Sequence, residues 1–370
     1  MDYIDFKGVK LSKIGLGTMG MGGRFERDVS NDKQHLSAIE KHLQLGVNFI
    51  DTAEVYANGG SEELVGQAIS GARSEYFIAT KVSPEHLAYE DVIASCKASL
   101  ARLKTDYIDL YQVHWPNPDI PLAETMRAMK ELKAQGLIRH IGLSNFDLEG
   151  VHQCQALLGD EKVAFIQAEY NLFDRSAEED LIPYCVENGC IFIAYSPLDQ
   201  GSVVKSAELR SELRNYSDRY GQTDAQIALN FLVRSGHVIV IPKALSDQNI
   251  HTNCSALNFE LSPEDVQRLE STLVNPVVYI DYGKVKPTKD MVNDLAIKTI
   301  EDAEQNLLHH SPSPIQLAEE LKTKGKFKAI RVSKHESGDY QYLLEEGKLR
   351  FWATVIANKE SGIVPVLIRS

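Results

Sequence analysis

Tryptophan occurs only twice in the 370 residues, methionine six times and cysteine five times. The cysteines Cys96, Cys154, Cys185, Cys190 and Cys254 are odd in number and scattered, and none forms a C-x-x-C pair with a nearby histidine. This spacing argues against a disulfide framework and a zinc site; reduced packing thiols and no metal are expected. Long apolar runs are missing too. Nothing approaches the ~20 residues that cross a bilayer, and Met1 to Met21 lacks a basic region followed by an apolar stretch, so a cytoplasmic protein with no membrane partner is expected. Basic residues are scarce, 39 Lys and Arg against 52 Asp and Glu, for a net charge of −13. The deficit is uneven: residues 1–276 carry −14 and residues 277–370 carry +1. A nucleic-acid surface is therefore not expected on the first part and stays open for the tail.

What is present is a globular composition, in a length that suits one large domain of about 250 residues plus a smaller one. Two textures alternate about eight times over the first 260 or so residues. Short β-branched or aliphatic runs are read as strands at Ile14–Leu16, Asn48–Thr52, Tyr76–Lys81, Ile108–His114, Ile141–Ser144, Phe165–Glu169, Ile191–Tyr195 and Val238–Ile241. Helical spacing lies between or after them at Lys33–Leu45, Glu62–Ile69, Tyr89–Leu103, Ala123–Ala134, Leu148–Leu157, Ala177–Glu187, Asp224–Val233 and Asp247–Ala256. Gly46, Gly136 and Gly236 supply stop signals. Eight such units predict a parallel (β/α)8 TIM barrel over residues 1–275. An open doubly wound sheet fits less well, because Gly15 to Gly23 precedes Arg24–Asn31 and not an immediate helix.

A barrel of this kind works at the C-terminal ends of its strands. Asp51 ends the second strand, Tyr56 follows in the next loop, Lys81 ends the third and His114 the fourth. Singly, these could be a capping carboxylate, a rim aromatic, a solvated lysine and a core histidine. Together they suit proton donation to a developing alkoxide. A cation at Lys81 stabilises the Tyr56 phenolate, Asp51 holds the lysine, and a neutral His114 orients a carbonyl oxygen. With no Ser or Cys nucleophile beside a base, and no cluster of metal ligands, the attacking group must come from a cofactor.

The stretches Asn48-Phe-Ile-Asp-Thr-Ala-Glu-Val-Tyr56, Ala79-Thr-Lys81, Val113-His-Trp-Pro116, Gly142-Leu-Ser-Asn-Phe146, Gln167 with Tyr170-Asn171, Ala194-Tyr-Ser-Pro197 and Ile241-Pro-Lys243 resemble, in order and spacing, the signatures of the aldo-keto reductases over about residues 5–272. The resemblance implies NAD(P)H-dependent reduction of an aldehyde or ketone, a small-molecule carbonyl substrate, with Tyr56 as general acid. It implies that Ser144, Asn145 and Gln167 hold the carboxamide, Tyr195 stacks on the nicotinamide, and Ser196 and Leu198 line the pyrophosphate channel. Thr18 and the Asp51–Thr52 step are placed at the cofactor as well, and Asn253 at the adenine. Many NADPH-preferring members carry a Ser and an Arg after the lysine, where this chain has Ala244 and Asn249. Lys243 remains, so NADPH is favoured with weakened discrimination and NADH stays possible. Trp115, Met19, Met21 and Phe25 are read as an apolar substrate wall, and Asp199–Gln222 as a lid-like loop.

From Val277 on, helices at Leu307–Thr323 and Lys348–Asn358 and strands at Lys328–Ser333, Tyr340–Leu344 and Val364–Ile368 suggest a small α+β domain over 277–370. Ser313-Pro-Ile-Gln-Leu-Ala-Glu-Glu-Leu-Lys, Ala329-Ile-Arg-Val, Tyr340–Ala353 and Val364-Pro-Val-Leu-Ile368 resemble the ParB/sulfiredoxin superfamily. Its nucleotide-binding members use a G-E-R-R-x-R-A turn, matched here by Gly347-Lys-Leu-Arg-Phe-Trp-Ala353, which keeps Gly347, Arg350 and Ala353 and loses the Glu and two Arg, so that Gly347 and Arg350 are read as a degenerate phosphate site or as a plain helix start. Sulfiredoxin's catalytic cysteine has no counterpart. Lys322, Lys324, Lys326, Lys328 and Arg331 form a basic run, read as a solvated face. Two alternatives stay open: a nicotinamide-sensing regulatory protein on the same barrel, and a tail that binds nucleotide, nucleic acid or a partner. Oligomeric state is open.

Overall fold

In the computed structural model, which describes residues 1–205, 207–272, 278–286, 299–306, 313–324, 329–335, 340–358 and 362–369, the chain divides into two units. One comprises Met1–Lys205 and Leu209–Thr272, the other Leu273–Ser370 with Ser206–Glu208.

The first unit opens with a feature absent from the sequence reading, an antiparallel hairpin of β1 (Tyr3–Phe6) and β2 (Val9–Ser12). Its turn is Lys7-Gly8, both with positive φ, as a two-residue hairpin loop of matching twist requires. Ile4, Phe6 and Leu11 then join the barrel's core cluster.

Eight parallel strands follow: β3 (Leu16–Gly17), β4 (Phe49–Asp51), β5 (Phe77–Val82), β6 (Ile108–Val113), β7 (Ile138–Ser144), β8 (Val163–Glu169), β9 (Ile191–Tyr195) and β10 (Val238–Val240). Each pairs with the next in sequence, from β3 to β10. Every residue of β5 and β6 is buried, because side chains on one strand face fill the barrel and those on the other pack under the helices. The connecting helices are α1 (Asp32–Gln44), α2 (Gly60–Ala68), α3 (Tyr89–Leu103), α4 (Leu122–Ala134), α5 (Leu148–Leu158) and α6 (Leu181–Asn188). After β9 come α7 (Ser202–Lys205), α8 (Ala207–Tyr220) and α9 (Asp224–Leu232), and after β10 come α10 (Asp247–Cys254) and α11 (Pro263–Thr272). The expected eightfold barrel is the one observed.

The lid-like loop expected at Asp199–Gln222 is a correction, since most of it is helical in α7 and α8. Leu213, Tyr216 and Ser217 are buried at helical spacing, and Arg214 pairs with Asp218 one turn on at 3.1 Å. The polar content of the segment masked that period.

The ring closes where the first and last strands meet. Ile14 pairs in parallel with Val240, Gly15 N donates to Val240 O at 2.8 Å, and Val240 N donates to Lys13 O at 3.0 Å. A Cβ on Gly17 would lie 2.6 Å from the carbonyl oxygen of Ile241. Only glycine lets the two backbones approach this closely. Gly17→Ala is expected to lower stability by about 2–3 kcal/mol through overpacking, read as a fall in the urea midpoint at unchanged m-value.

The second unit is a five-stranded sheet in the order β11-β15-β13-β14-β12, from β11 (Val278–Asp281), β12 (Val285–Lys286), β13 (Ile330–Lys334), β14 (Tyr342–Glu346) and β15 (Ile363–Arg369). Its helices are α12 (Ile300–Glu304), α13 (Pro314–Lys324) and α14 (Lys348–Ala357). Ile330, Val332, Phe351, Trp352, Val364 and Val366 belong to its own core. The expected strands are found within two residues, whereas β11, β12 and α12 were not anticipated. The expected helix start at Leu307 and the residues Lys326, Phe327 and Lys328 lie outside the described residues. Arg331 departs from the expected solvated face: it is 2% exposed, inside β13.

Candidate active site

Asp51, Lys81 and His114 come from the C-terminal ends of β4, β5 and β6, and Tyr56 from the loop after β4. The Lys81 ammonium is completely buried; its Nζ donates to Asp51 Oδ1 at 2.5 Å, to Thr52 O at 2.8 Å and to Tyr56 Oη at 3.4 Å. Burial works against the charge on Lys81, but the Asp51 carboxylate and Tyr56 outweigh it, so the lysine is held above its ordinary value. The balance at Tyr56 differs from the sequence expectation. Burial raises its pKa, Lys81 lowers it, and burial prevails, so the phenol keeps its proton.

Asp51 is saturated. Its Oδ2 accepts from Gln167 Nε2 at 2.7 Å and from Gln112 Nε2 at 3.3 Å. Gln167, expected at the carboxamide, positions the carboxylate in this structure. Gln112 was not anticipated, although it lies two residues before His114, on the same strand face as its preceding alternate positions. Gly142 makes room for it, since a Cβ there would meet Gln112 Cγ at 2.9 Å. Thr18 Oγ1 donates to Asp51 O at 2.9 Å and receives a hydrogen bond from Ser61 Oγ at 2.8 Å.

The His114 ring meets the Tyr56 ring edge to face, with centroids 5.7 Å apart. Burial, and then the charge of Lys81, bring its pKa down to about 3, so the ring is neutral across the physiological range. Its buried Nδ1 has no hydrogen-bond partner among the described residues. The Tyr56 loop is fixed from outside the tetrad: Glu54 Oε1 accepts from Ser83 N at 2.7 Å, and Ala57, with φ of 53°, donates its N–H to Arg24 O at 2.9 Å.

Tyr195 ends β9, and its hydroxyl donates to Asn145 Oδ1 at 2.8 Å. Asn145 Nδ2 donates to Ser144 Oγ and to His114 O, both at 3.0 Å. Ser144, Asn145, Gln167 and Tyr195 therefore form one hydrogen-bonded rim joined to the tetrad. Ser196, with φ of 48°, and Leu198 follow β9. Asn253 is buried on α10, whereas Asn249 is exposed in its first turn, its backbone N–H taken by Ser246 Oγ. Lys243, also exposed, makes no ion pair or side-chain hydrogen bond among the described residues. Met19, Phe25 and Trp115, expected as the substrate wall, are 46%, 55% and 48% exposed. Met21 corrects the reading: it is fully buried and belongs to the core. The donor set suits a dinucleotide, with an orphaned imidazole nitrogen beside a protonated phenol, amide groups fixed on the rim and an unpaired cation at Lys243.

The sequence profile of the aldo/keto reductase family matches residues 13–274. The chain belongs to this family. The reductase is 36% identical over 291 residues to the methylglyoxal reductase YeaE of Escherichia coli, an alignment covering 78% of this chain and 98% of that protein. The NADH-specific methylglyoxal reductase of Escherichia coli is 30% identical, with 70% and 93% covered. Among solved structures, an aldo/keto reductase from Klebsiella pneumoniae in complex with NADP and acetate superposes with a TM-score of 0.68 at 36% identity, covering 73% of this chain and 95% of that one. The chemistry of this reductase is NAD(P)H-dependent reduction of a carbonyl compound.

Elsewhere, a cleft of about 1070 Å³ on the outside of the reductase barrel is lined from α6, α9 and α11. Its central groups are already paired with each other: Arg234 binds Glu178 and Glu270 at 2.9 Å and Tyr170 Oη at 2.8 Å. In the second unit Gly347, with φ of 90°, caps α14, and Arg350 Nη1 donates to Ala329 O at 3.3 Å. No helix among the described residues is long and apolar enough to cross a membrane.

Proposed function

We propose that this reductase reduces small aldehydes and ketones with a preference for NADPH, through Tyr56, Lys81, Asp51 and His114. The carrying observation is the continuous contact from Asp51 through the buried Lys81 ammonium to the Tyr56 hydroxyl, beside a neutral His114. When bound, the nicotinamide cofactor supplies a hydride to the carbonyl carbon. Tyr56 Oη gives its proton to the carbonyl oxygen, and Lys81 stabilises the phenolate left behind. Asp51 keeps Lys81 in place, and His114 orients the carbonyl oxygen as a neutral hydrogen-bonding group. Ser144, Asn145 and Gln167 bind the carboxamide, Tyr195 stacks on the nicotinamide, and Ser196 and Leu198 line the pyrophosphate path. Thr18 and Asn253 complete the cofactor cleft; Lys243 meets the 2′-phosphate with Asn249 beside it. Met19, Phe25 and Trp115 form the apolar wall for the substrate. α-Oxoaldehydes belong to the substrate class, in line with the methylglyoxal reductase activity for which the relatives are named. Five separate thiols fit a reducing, cytoplasmic compartment. The unit from Leu273 on is an accessory domain of ParB/sulfiredoxin type, with Gly347 and Arg350 as its candidate phosphate contact.

The test is NADPH oxidation by the full chain with methylglyoxal and with benzaldehyde. Turnover is expected with NADPH at least about tenfold more efficient than with NADH, as one charge-assisted phosphate contact provides. Between pH 6 and 8 the rate should stay within about twofold, because His114 protonates far below that window and Tyr56 remains protonated throughout it. Cofactor binding without turnover of any carbonyl would replace this reading with a cofactor sensor.

A further inference from the structure

Asn249 stands where the family resemblance implies a second phosphate-binding cation, yet the neighbouring loop across the ring closure supplies one. We infer that Arg24, in the loop between β3 and α1, is the second cation of the 2′-phosphate site and acts together with Lys243; this rests on the reading that the barrel binds NADP(H).

The loop after β3 lies against Lys243, so closely that a Cβ on Gly20, whose φ is +83°, would stand 2.9 Å from the lysine Nζ. Four residues later the same loop carries Arg24. Its backbone there is fixed at two points. His35 Nδ1 accepts from Gly22 N at 3.0 Å, and Arg24 O accepts from Ala57 N at 2.9 Å. The loop's other arginine is engaged: Arg27 binds Asp32 in two-pronged fashion, at 2.9 and 2.5 Å, and donates to Gly22 O and Asp28 O. Arg24 has no such partner among the described residues, where its guanidinium lies only over the Phe25 ring, 5.4 Å from the centroid.

The two cations also act on each other. After burial, the charge of Arg24 is the next cause that lowers the Lys243 pKa. Two positive groups near one another repel; a phosphate dianion turns that repulsion into a two-sided contact. Neither loop alone makes the pair, because Lys243 follows β10 and Arg24 follows β3, and they become neighbours only when the ring closes.

The experiment titrates the full chain with NADPH and NADH by intrinsic fluorescence, and with 2′,5′-ADP and 5′-AMP by calorimetry. Arg24→Ala is expected to weaken NADPH and 2′,5′-ADP about tenfold, a change of about 1.4 kcal/mol, and to leave NADH and 5′-AMP within about twofold. Arg24→Lys should recover most of the loss, and Lys243→Ala should show the same pattern as Arg24→Ala. Arg24 is exposed, and an unchanged melting temperature confirms that the variants are folded. Equal weakening of NADPH and NADH would move Arg24 to a phosphate shared by both cofactors and overturn the inference, as would no weakening at all. Wild-type protein that binds neither cofactor would sink the underlying reading itself, a result distinct from either variant outcome.

Discussion

Tyr56→Phe is expected to cut carbonyl reduction about 1000-fold while the affinity for NADPH stays within about twofold, the size of effect typical of losing a positioned general acid. The change removes one oxygen from a side chain whose ring is already held against His114, 5.7 Å between centroids, and leaves the Lys81–Asp51 contact in place. Single-turnover reduction and fluorescence titration on the same preparation separate the two quantities. Loss of turnover and of cofactor binding together would mean that the Tyr56 loop had rearranged, and Tyr56 would lose its assigned role. A near-normal rate would require another proton donor within reach of the carbonyl.

Lys81→Met should have the second large effect, on stability as well as rate. Lys81 and Asp51 are 0% and 2% exposed and in direct contact. Removing the ammonium leaves a buried carboxylate with Gln167 and Gln112 as its side-chain partners among the described residues, a loss of about 3–5 kcal/mol. Urea denaturation of Lys81→Met beside the Asp51→Asn/Lys81→Met double variant measures it. The double variant should regain part of the stability, since no isolated charge remains, and none of the activity. If the single variant were as stable as the wild type, the pair would be a weakly coupled contact and not the anchor of the site.

The four residues of the tetrad were legible because each stands at or just after a strand end, and strand ends are marked by local pattern. Their partners were harder to read. Gln112 belongs to the site because its strand parity points it toward Asp51 and because Gly142 on the neighbouring strand has no side chain to obstruct it; the second condition is not visible within either strand alone. Arg24 and Lys243 are more than two hundred residues apart, so no spacing rule within one segment links them. Misreadings at α8 and Met21 have different causes. Polarity at Asp199–Gln222 hid a helical period, and Met21 was assigned by its proximity to Met19, although the turn at Gly20 sends the two to opposite environments, one exposed and one in the core.

The closure of the barrel at Ile14 and Val240 has one more consequence. This joint is the shortest pairing in the ring, a single bridge with two flanking hydrogen bonds, and Gly20 and Lys243 stand just beyond it on either side. A ligand gripped by both loops acts as a clasp on that joint, so loading the cofactor and keeping the cylinder shut become one equilibrium. A cofactor held by both loops would then raise the unfolding midpoint in proportion to the logarithm of its concentration above Kd.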